Sequence, residues 1–192
     1  MTDHELLSLL EYVWAAFGLY WIAVARGGKA TQTGESPFYR IMRLAILVIT
    51  FTLLFWERTA IGFLARRFIP QLPAITYAAF VSTLAGLAIA VWARVHLGHY
   101  WSDKVVLKVD HQLVRTGPYA YMRHPIYSGV LLGVAGTALV LGEWRGLLAF
   151  LILLANYWVK AEREERILSA RFGQEFSDHQ QRAGFLFPRF HA

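Results

Sequence analysis

Apolar residues gather into five blocks along the chain, at about 6–24, 41–56, 72–92, 125–141 and 147–159. Each block reads as a helix. Several fall short of the roughly 20 residues that a bilayer-crossing helix takes, so they must run on into their polar flanks or thin the membrane around them. The expected fold is therefore all-α, a polytopic membrane protein of about five transmembrane helices. GEWRG at 142–146 joins the last two blocks, and so short a connection forces an antiparallel hairpin. Polar helical sequence follows the last block, so the hairpin is expected to continue into a cytoplasmic helix. No polar stretch is long enough to build a second core, and 1–192 reads as one membrane domain. Within it, three N-terminal spans occupy 1–92, and a loop, the hairpin and the last helix occupy 93–192.

The hairpin fixes an orientation. The loop before it and the segment after it share one side of the membrane. Arg94, Lys104, Lys108, Arg115 and Arg123 lie in that loop, and Lys160, Arg163, Arg166, Arg171, Arg182 and Arg189 lie in that segment. The positive-inside rule makes their side cytoplasmic and, counting back, puts the N-terminus outside. The first loop, with Arg26, Lys29, Arg40 and Arg43, then also faces inward. Arg58, Arg66 and Arg67 fall outside, against the rule.

Composition sharpens this picture. Of 192 residues, 56% are hydrophobic, 17% charged and 15% aromatic, with seven tryptophans, more than a soluble core of this size usually needs. The formal charge of +6 raises nucleic acid as a partner, but the basic residues flank apolar blocks instead of forming a stripe, which suits membrane topology and anionic headgroups. Nucleic acid is set aside. Cysteine is absent, which excludes disulfides, thiolate metal sites and cysteine nucleophiles. The start, MTDHELLSLLEYVW, is acidic where a signal peptide would be basic, so the first apolar block is expected to be retained.

Candidate chemistry clusters in two places. The first is GPYAYMRHPIYSG at 117–129, at the entry to the fourth block. Pro125 has a fixed φ and no amide to donate, so it suits the first turn of a helix with His124 just before it. The first free amides, on Ile126 and Tyr127, would face the cytoplasm and suit a carboxylate or phosphate. Gly117 and Pro118 make a turn that brings Tyr119 to Arg123 against that helix end. Gly129, Gly133 and Gly136 leave one face of the helix bare. That face serves either as a seam for a neighbouring helix or as a bed for a flat cofactor. His124 by itself reads most simply as a helix cap.

The second place is YWVKAEREERILSARFG at 157–173. Helical spacing stacks Asn156, Lys160 and Glu164 on one face with Arg163 beside them, a polar stripe descending into the fifth block. The plainer alternative is a helix leaving the membrane, with Lys160 snorkelling and Glu162 paired to Arg166. Glu164 and Glu165 argue for more, since ionised groups near a membrane are kept mostly with a partner or a task. His96 and His99 are three apart, but no carboxylate pattern completes a metal site, and none is expected.

GPYAYMRHPIYSG, followed about forty residues on by EERILSARFGQEF and then by Phe187 and Pro188, resembles the isoprenylcysteine carboxyl methyltransferase and phospholipid methyltransferase superfamily of integral membrane enzymes. The likeness runs from about 91 to 189, including LGHYWS at 97–102 and DHQLVRTGPY at 110–119. The resemblance implies binding of S-adenosylmethionine on the cytoplasmic side. His111, Leu113, Gly117, His124, Pro125 and Tyr127 would hold it from one side, and Glu164 and Glu165 from the other. Phe176 and His179 stand where the family commonly has tyrosines.

Methyl transfer is an in-line displacement on an activated carbon, so the protein has mainly to align and desolvate the reactants. A carboxylate acceptor arrives as a ready nucleophile, which Arg123, Arg163 or His124 would orient. An amine acceptor needs a base, for which Glu165 is the candidate. A lipophilic substrate would explain the membrane setting, its tail entering between helices. Two other classes stay open: an NADPH-dependent sterol-type reductase using the same helix end for phosphates, and a non-enzymatic scaffold binding anionic lipid or a partner.

Overall fold

The computed structural model describes residues 3–25, 37–98 and 113–190. Among these, six helices follow in order: α1 (Asp3–Ala25), α2 (Pro37–Phe55), α3 (Pro73–Leu97), α4 (Pro125–Leu141), α5 (Trp144–Phe172) and α6 (Gln174–Arg182). Short 3-10 turns occupy Glu57–Thr59, Gly62–Ala65 and Gly117–Ala120. The described residues hold no strand, only isolated bridges between Arg67 and Glu143 and between Met122 and Gly184. The protein is an all-helical membrane protein. Helices α1, α2 and α3 contain stretches long and apolar enough to cross a bilayer, and α4 adds a shorter apolar helix of 17 residues.

The helices outrun the apolar blocks. Pro37 and Pro73 open α2 and α3 in the first turn, where a missing amide costs nothing. The fifth apolar block is only the first half of α5, a helix of 29 residues and so roughly 43 Å long at 1.5 Å per residue. The hairpin is tighter than GEWRG suggests. Gly142 takes a left-handed φ of 69° and donates its amide to Ala138 O at 2.8 Å, closing α4. Glu143 is extended, and α5 begins at Trp144, so two residues make the connection.

Helices α3 and α4 pack antiparallel at close range. A Cβ on Gly86 would lie 2.5 Å from Gly129 O, one on Gly129 2.5 Å from Gly86 O, and one on Gly136 2.5 Å from Ala79 O. The bare face of α4 is thus a helix-packing seam filled by α3, and the flat-cofactor reading of those glycines is overturned. Gly133 sits under Trp14 of α1 and Leu87 of α3. The Trp14 indole donates to Thr137 Oγ1 at 3.0 Å, and Thr137 donates to Gly133 O at 2.9 Å, so the buried polar atoms are satisfied.

Helix α2 runs antiparallel to α5. Tyr39 at its start meets Arg163 in the second half of α5, and its last turn meets Arg145 in the first turn of α5. Arg145, 4% exposed, donates to Leu53 O at 3.2 Å, Trp56 O at 3.1 Å and Thr59 Oγ1 at 3.3 Å, and pairs with Glu143 at 2.6 Å. Arg67 donates to Leu141 O at 3.2 Å. Two of the carbonyl ends that helices leave unsatisfied are therefore capped by arginine. Arg67 is one of the residues that ran against the charge rule, and its place is set by this cap.

Candidate active site

The opposite end of the bundle collects the start of α4, the middle of α5, helix α6 and the segment after it. Gly117 has a φ of 59°, and a Cβ there would lie 2.7 Å from the His96 ring, so glycine is required both by conformation and by space. The turn it opens buries Pro118 and Tyr119 and delivers Arg123 and His124 to the head of α4. His124 occupies the N-cap position, but its side chain caps nothing. The simple capping role is thus corrected.

The imidazole is instead held between two carboxylates. His124 Nε2 lies 3.1 Å from Glu165 Oε1, and Nδ1 lies 3.6 Å from Glu164 Oε2. Nε2 is in hydrogen-bond range of one carboxylate and Nδ1 faces the second at longer range, and both carboxylates favour the protonated ring. Arg123 grips Glu165 with Nε at 2.6 Å and Nη2 at 3.4 Å, a bidentate pair, while its Nη1 donates to Gln180 O at 3.3 Å and to Ala183 O. Gln180 completes Glu165 by donating to Oε2 at 2.9 Å. Glu164 accepts from the Tyr127 hydroxyl and has Lys160 Nζ at 3.9 Å.

Burial pushes both carboxyls upward and His124 downward, and the mutual hydrogen bonds overturn it in each case. Glu164 is held below the ordinary carboxylate range by His124 and Lys160. Glu165 is held down to about 2 by His124, Arg123 and Gln180. His124 is raised by the same two glutamates. The two carboxylates are thus held toward their ionised form with Arg123, His124 and Lys160 around them, under an aromatic wall. Tyr127 stacks on His124 at 5.5 Å and on Tyr157 at 4.8 Å, and Phe185 meets His124 edge-on at 5.3 Å.

Most of the residues singled out in the sequence meet here: Arg123, His124, Tyr127, Glu164 and Glu165, with buried Pro125 opening α4. Leu113 and Gly117 lie in the approach to the turn. His111, with Lys104, Lys108 and His99, lies outside the described residues. Arg163 is not brought to the cluster; its guanidinium lies 4.2 Å over the Tyr39 ring of α2. The Glu162–Arg166 pairing is replaced, since Glu162 accepts from the Trp158 indole at 2.9 Å. An open groove of about 490 Å³ lies beyond, lined by Glu162, Glu165, Arg166, Ser169 and Gln180.

Sequence reasoning missed Gln180 and the segment after α6. Arg123 N donates to Gly184 O at 2.8 Å, and Gly184 N and Arg189 N donate to Tyr121 O at 3.0 and 2.9 Å. Phe176, His179, Gln180 and Ala183 do recur at helical spacing, and that periodicity was the available signal for a buried face on α6.

Residues 78–170 match the model of the isoprenylcysteine carboxyl methyltransferase (ICMT) family. The Schizosaccharomyces pombe protein named "Protein-S-isoprenylcysteine O-methyltransferase" is 26% identical over 170 residues, covering 85% of this chain and 64% of that one. An Oryza sativa subsp. indica protein named "Probable protein-S-isoprenylcysteine O-methyltransferase" is 28% identical over 169 residues, covering 85% of this chain and 84% of that one. The solved structure of the eukaryotic intramembrane Ras methyltransferase ICMT superposes with a TM-score of 0.54 at 25% identity, covering 82% of this chain and 54% of that one. The chain thus spans about two thirds of the fission yeast relative and about half of the solved one. With the matched segment running from α3 through the cluster into α5, and a fold similar to that of the solved enzyme, these likenesses all support the isoprenylcysteine carboxyl methyltransferase superfamily.

Proposed function

We propose that the chain is an S-adenosylmethionine-dependent methyltransferase acting at the cytoplasmic membrane surface on a lipophilic carboxylate, as in isoprenylcysteine carboxyl methylation. The observation that carries the reading is the pair Glu164 and Glu165, kept ionised beside His124 and Arg123 at the head of α4. The donor set fits the cofactor. Two partly buried carboxylates suit its ammonium and sulfonium, the amides of the first turn of α4 suit its carboxylate, and the Tyr127–Tyr157 stack offers a flat apolar wall. Glu164, Glu165, Tyr127 and the α4 terminus at His124 and Pro125 would hold it, with Leu113, Gly117 and His111 from the preceding loop. When bound, it supplies a methyl carbon activated by positive sulfur.

The residues of the chain then have positional tasks. Arg123 spends its donors on Glu165 and two backbone carbonyls, so it positions Glu165 instead of reaching for an acceptor. His124, charged and fixed between the glutamates, keeps them apart and oriented. The aromatic wall excludes water, which strengthens each of these interactions. Arg163, away from the cluster on the α2 side of α5, is the cation this reading assigns to an acceptor carboxylate arriving between those helices. An amine lipid would need a proton acceptor, and Glu165, bound by three donors and held at about 2, is a poor one. That favours the carboxylate over phospholipid N-methylation.

The deciding experiment is calorimetric binding of S-adenosylhomocysteine and, separately, NADPH to detergent-purified protein, for the natural chain and Glu165→Ala. Binding of the former, lost in the variant, supports the proposal, and a methyl-transfer assay with S-farnesylated cysteine against phosphatidylethanolamine then separates the acceptors. Binding of NADPH instead would move the reading to a reductase, and binding of neither to a scaffold.

A further inference from the structure

We infer that the segment after α6, residues 184–190, is a membrane-interface anchor, with Phe187 and Phe190 seated at the level of the lipid headgroups beside Trp158. The inference rests on the proposed placement of the His124 end at the membrane surface. Phe187 and Phe190 are 78% and 76% exposed, so the described residues cover neither ring. They are presented from a fixed backbone. Leu186 is buried, its carbonyl accepts from Ser128 Oγ, and the amides of Gly184 and Arg189 are both bound to Tyr121 O. Ordering two phenyl rings toward water in this way would be costly, and a lipid surface removes the cost.

The fold indicates that lipid is the occupant. Leu148, Leu151, Trp158 and Val159 are the exposed large residues along the apolar half of α5, the side turned to lipid. Trp158 marks where that half ends, for its indole N–H reaches to Glu162 one turn on, the amphipathic posture of a tryptophan at a membrane boundary. Phe185 packs on Trp158 at 4.9 Å, and Tyr121, itself exposed, lies 5.6 Å from Phe190. Phe190 therefore joins an exposed aromatic pair with Tyr121, and the segment that carries both rings is tied to Trp158 through Phe185. Arg189 between them supplies the cation that headgroup phosphates favour.

The absence of cysteine allows a direct test. Single-cysteine variants Phe187→Cys and Phe190→Cys would carry an environment-sensitive fluorophore in nanodiscs containing phosphatidylglycerol and headgroup-level nitroxide lipid. Val159→Cys on the lipid side and Ser169→Cys on α6's side of α5 serve as references. Labels at 187 and 190 are expected to be quenched about twofold or more beyond the label at 169, matching insertion of about 5–10 Å into the interface. Quenching at 159 but not at 187 and 190 would overturn the inference and leave the membrane placement intact, pointing to a protein partner. Loss of quenching at 159 as well would overturn the placement. Two separate labelling sites, each checked for a monodisperse elution profile, guard against one label disturbing the packing, and the readout does not depend on methyl transfer.

Discussion

His124 and His179 are both buried, yet their protonation runs in opposite directions. His124 sits between two carboxylates and is raised above the ordinary 6.5, whereas burial and the nearby Arg123 and Arg115 push His179 down to about 4. Between pH 4 and 6.5 the unfolded chain binds a proton at position 179 that the folded chain refuses, so stability rises with pH there. Above 6.5 the folded chain keeps a proton on His124 that the unfolded chain has lost, so stability falls as pH climbs through the raised value. Glu165, moved from 4.5 to about 2, adds an acid limb, its contribution present above 4.5 and lost as pH falls toward 2. Thermal unfolding in detergent should therefore peak near pH 6.5, and His179→Asn should flatten the slope between pH 4 and 6.5 while leaving the alkaline limb. A profile still rising at pH 8 would contradict the assignment. The two arginines separate in the same way. Arg123→Ala should abolish S-adenosylhomocysteine binding, because it frees Glu165 and strands two carbonyls. Arg163→Ala should keep that binding and cost only the about 0.5–1 kcal/mol of an exposed cation–π contact with Tyr39, read from the unfolding midpoint.

Helix packing sets the next scale, where glycine matters through what lies opposite. Gly129→Ala puts a methyl group 2.5 Å from a backbone oxygen of α3, which no rotamer relieves, and should cost at the upper end of the about 1–3 kcal/mol typical of overpacking. Gly18→Ala in α1 meets nothing within 4 Å and should stabilise by about 0.5–1 kcal/mol, as alanine does for glycine in a helix. Unfolding midpoints moving in opposite directions would confirm the seam; equal shifts would refute it. The glycine pattern was plain in the sequence, but the choice between seam and cofactor bed was not. Periodicity tells which face is bare, and only the tertiary arrangement tells what fills it. The same limit explains the rest. Apolar runs, Pro125 at N1 and the joint order of the two motifs are local signals, and they led to the helices and to His124, Glu164 and Glu165. The pairing of Arg123 with Gly184 O and Ala183 O, the role of Gln180 and the turning of Arg163 toward Tyr39 join positions 15 to 124 residues apart, for which one sequence carries no spacing rule.

Across the molecule, the two ends of the bundle divide the work. At one end the charges of Arg123, His124, Glu164 and Glu165 form the candidate site. At the other, Arg145 and Arg67 hold the hairpin to the connection between α2 and α3, with Phe68 N donating to Gly142 O at 3.0 Å and Trp144 N to Arg66 O at 3.1 Å. The bonds of Arg145 go to carbonyls at the end of α2, to the Thr59 hydroxyl just after it and to Glu143, so its task is to fix α2 against α5. If this division holds, a change at the hairpin should lower stability without touching the site. Arg145→Met leaves Glu143 half-buried without its partner and takes the arginine donor from Leu53 O, and should cost about 3–5 kcal/mol, as breaking a buried ion pair does. The double variant Glu143→Gln with Arg145→Met removes the stranded charge and should recover part of that loss. In both, S-adenosylhomocysteine affinity measured well below the unfolding midpoint should stay within about threefold of the natural chain, a difference under 1 kcal/mol. A large fall in affinity at intact fold would mean that the packing of α2 on α5 transmits to Glu164 and Glu165 along the shared helix, and the two ends would have to be treated as one mechanical unit.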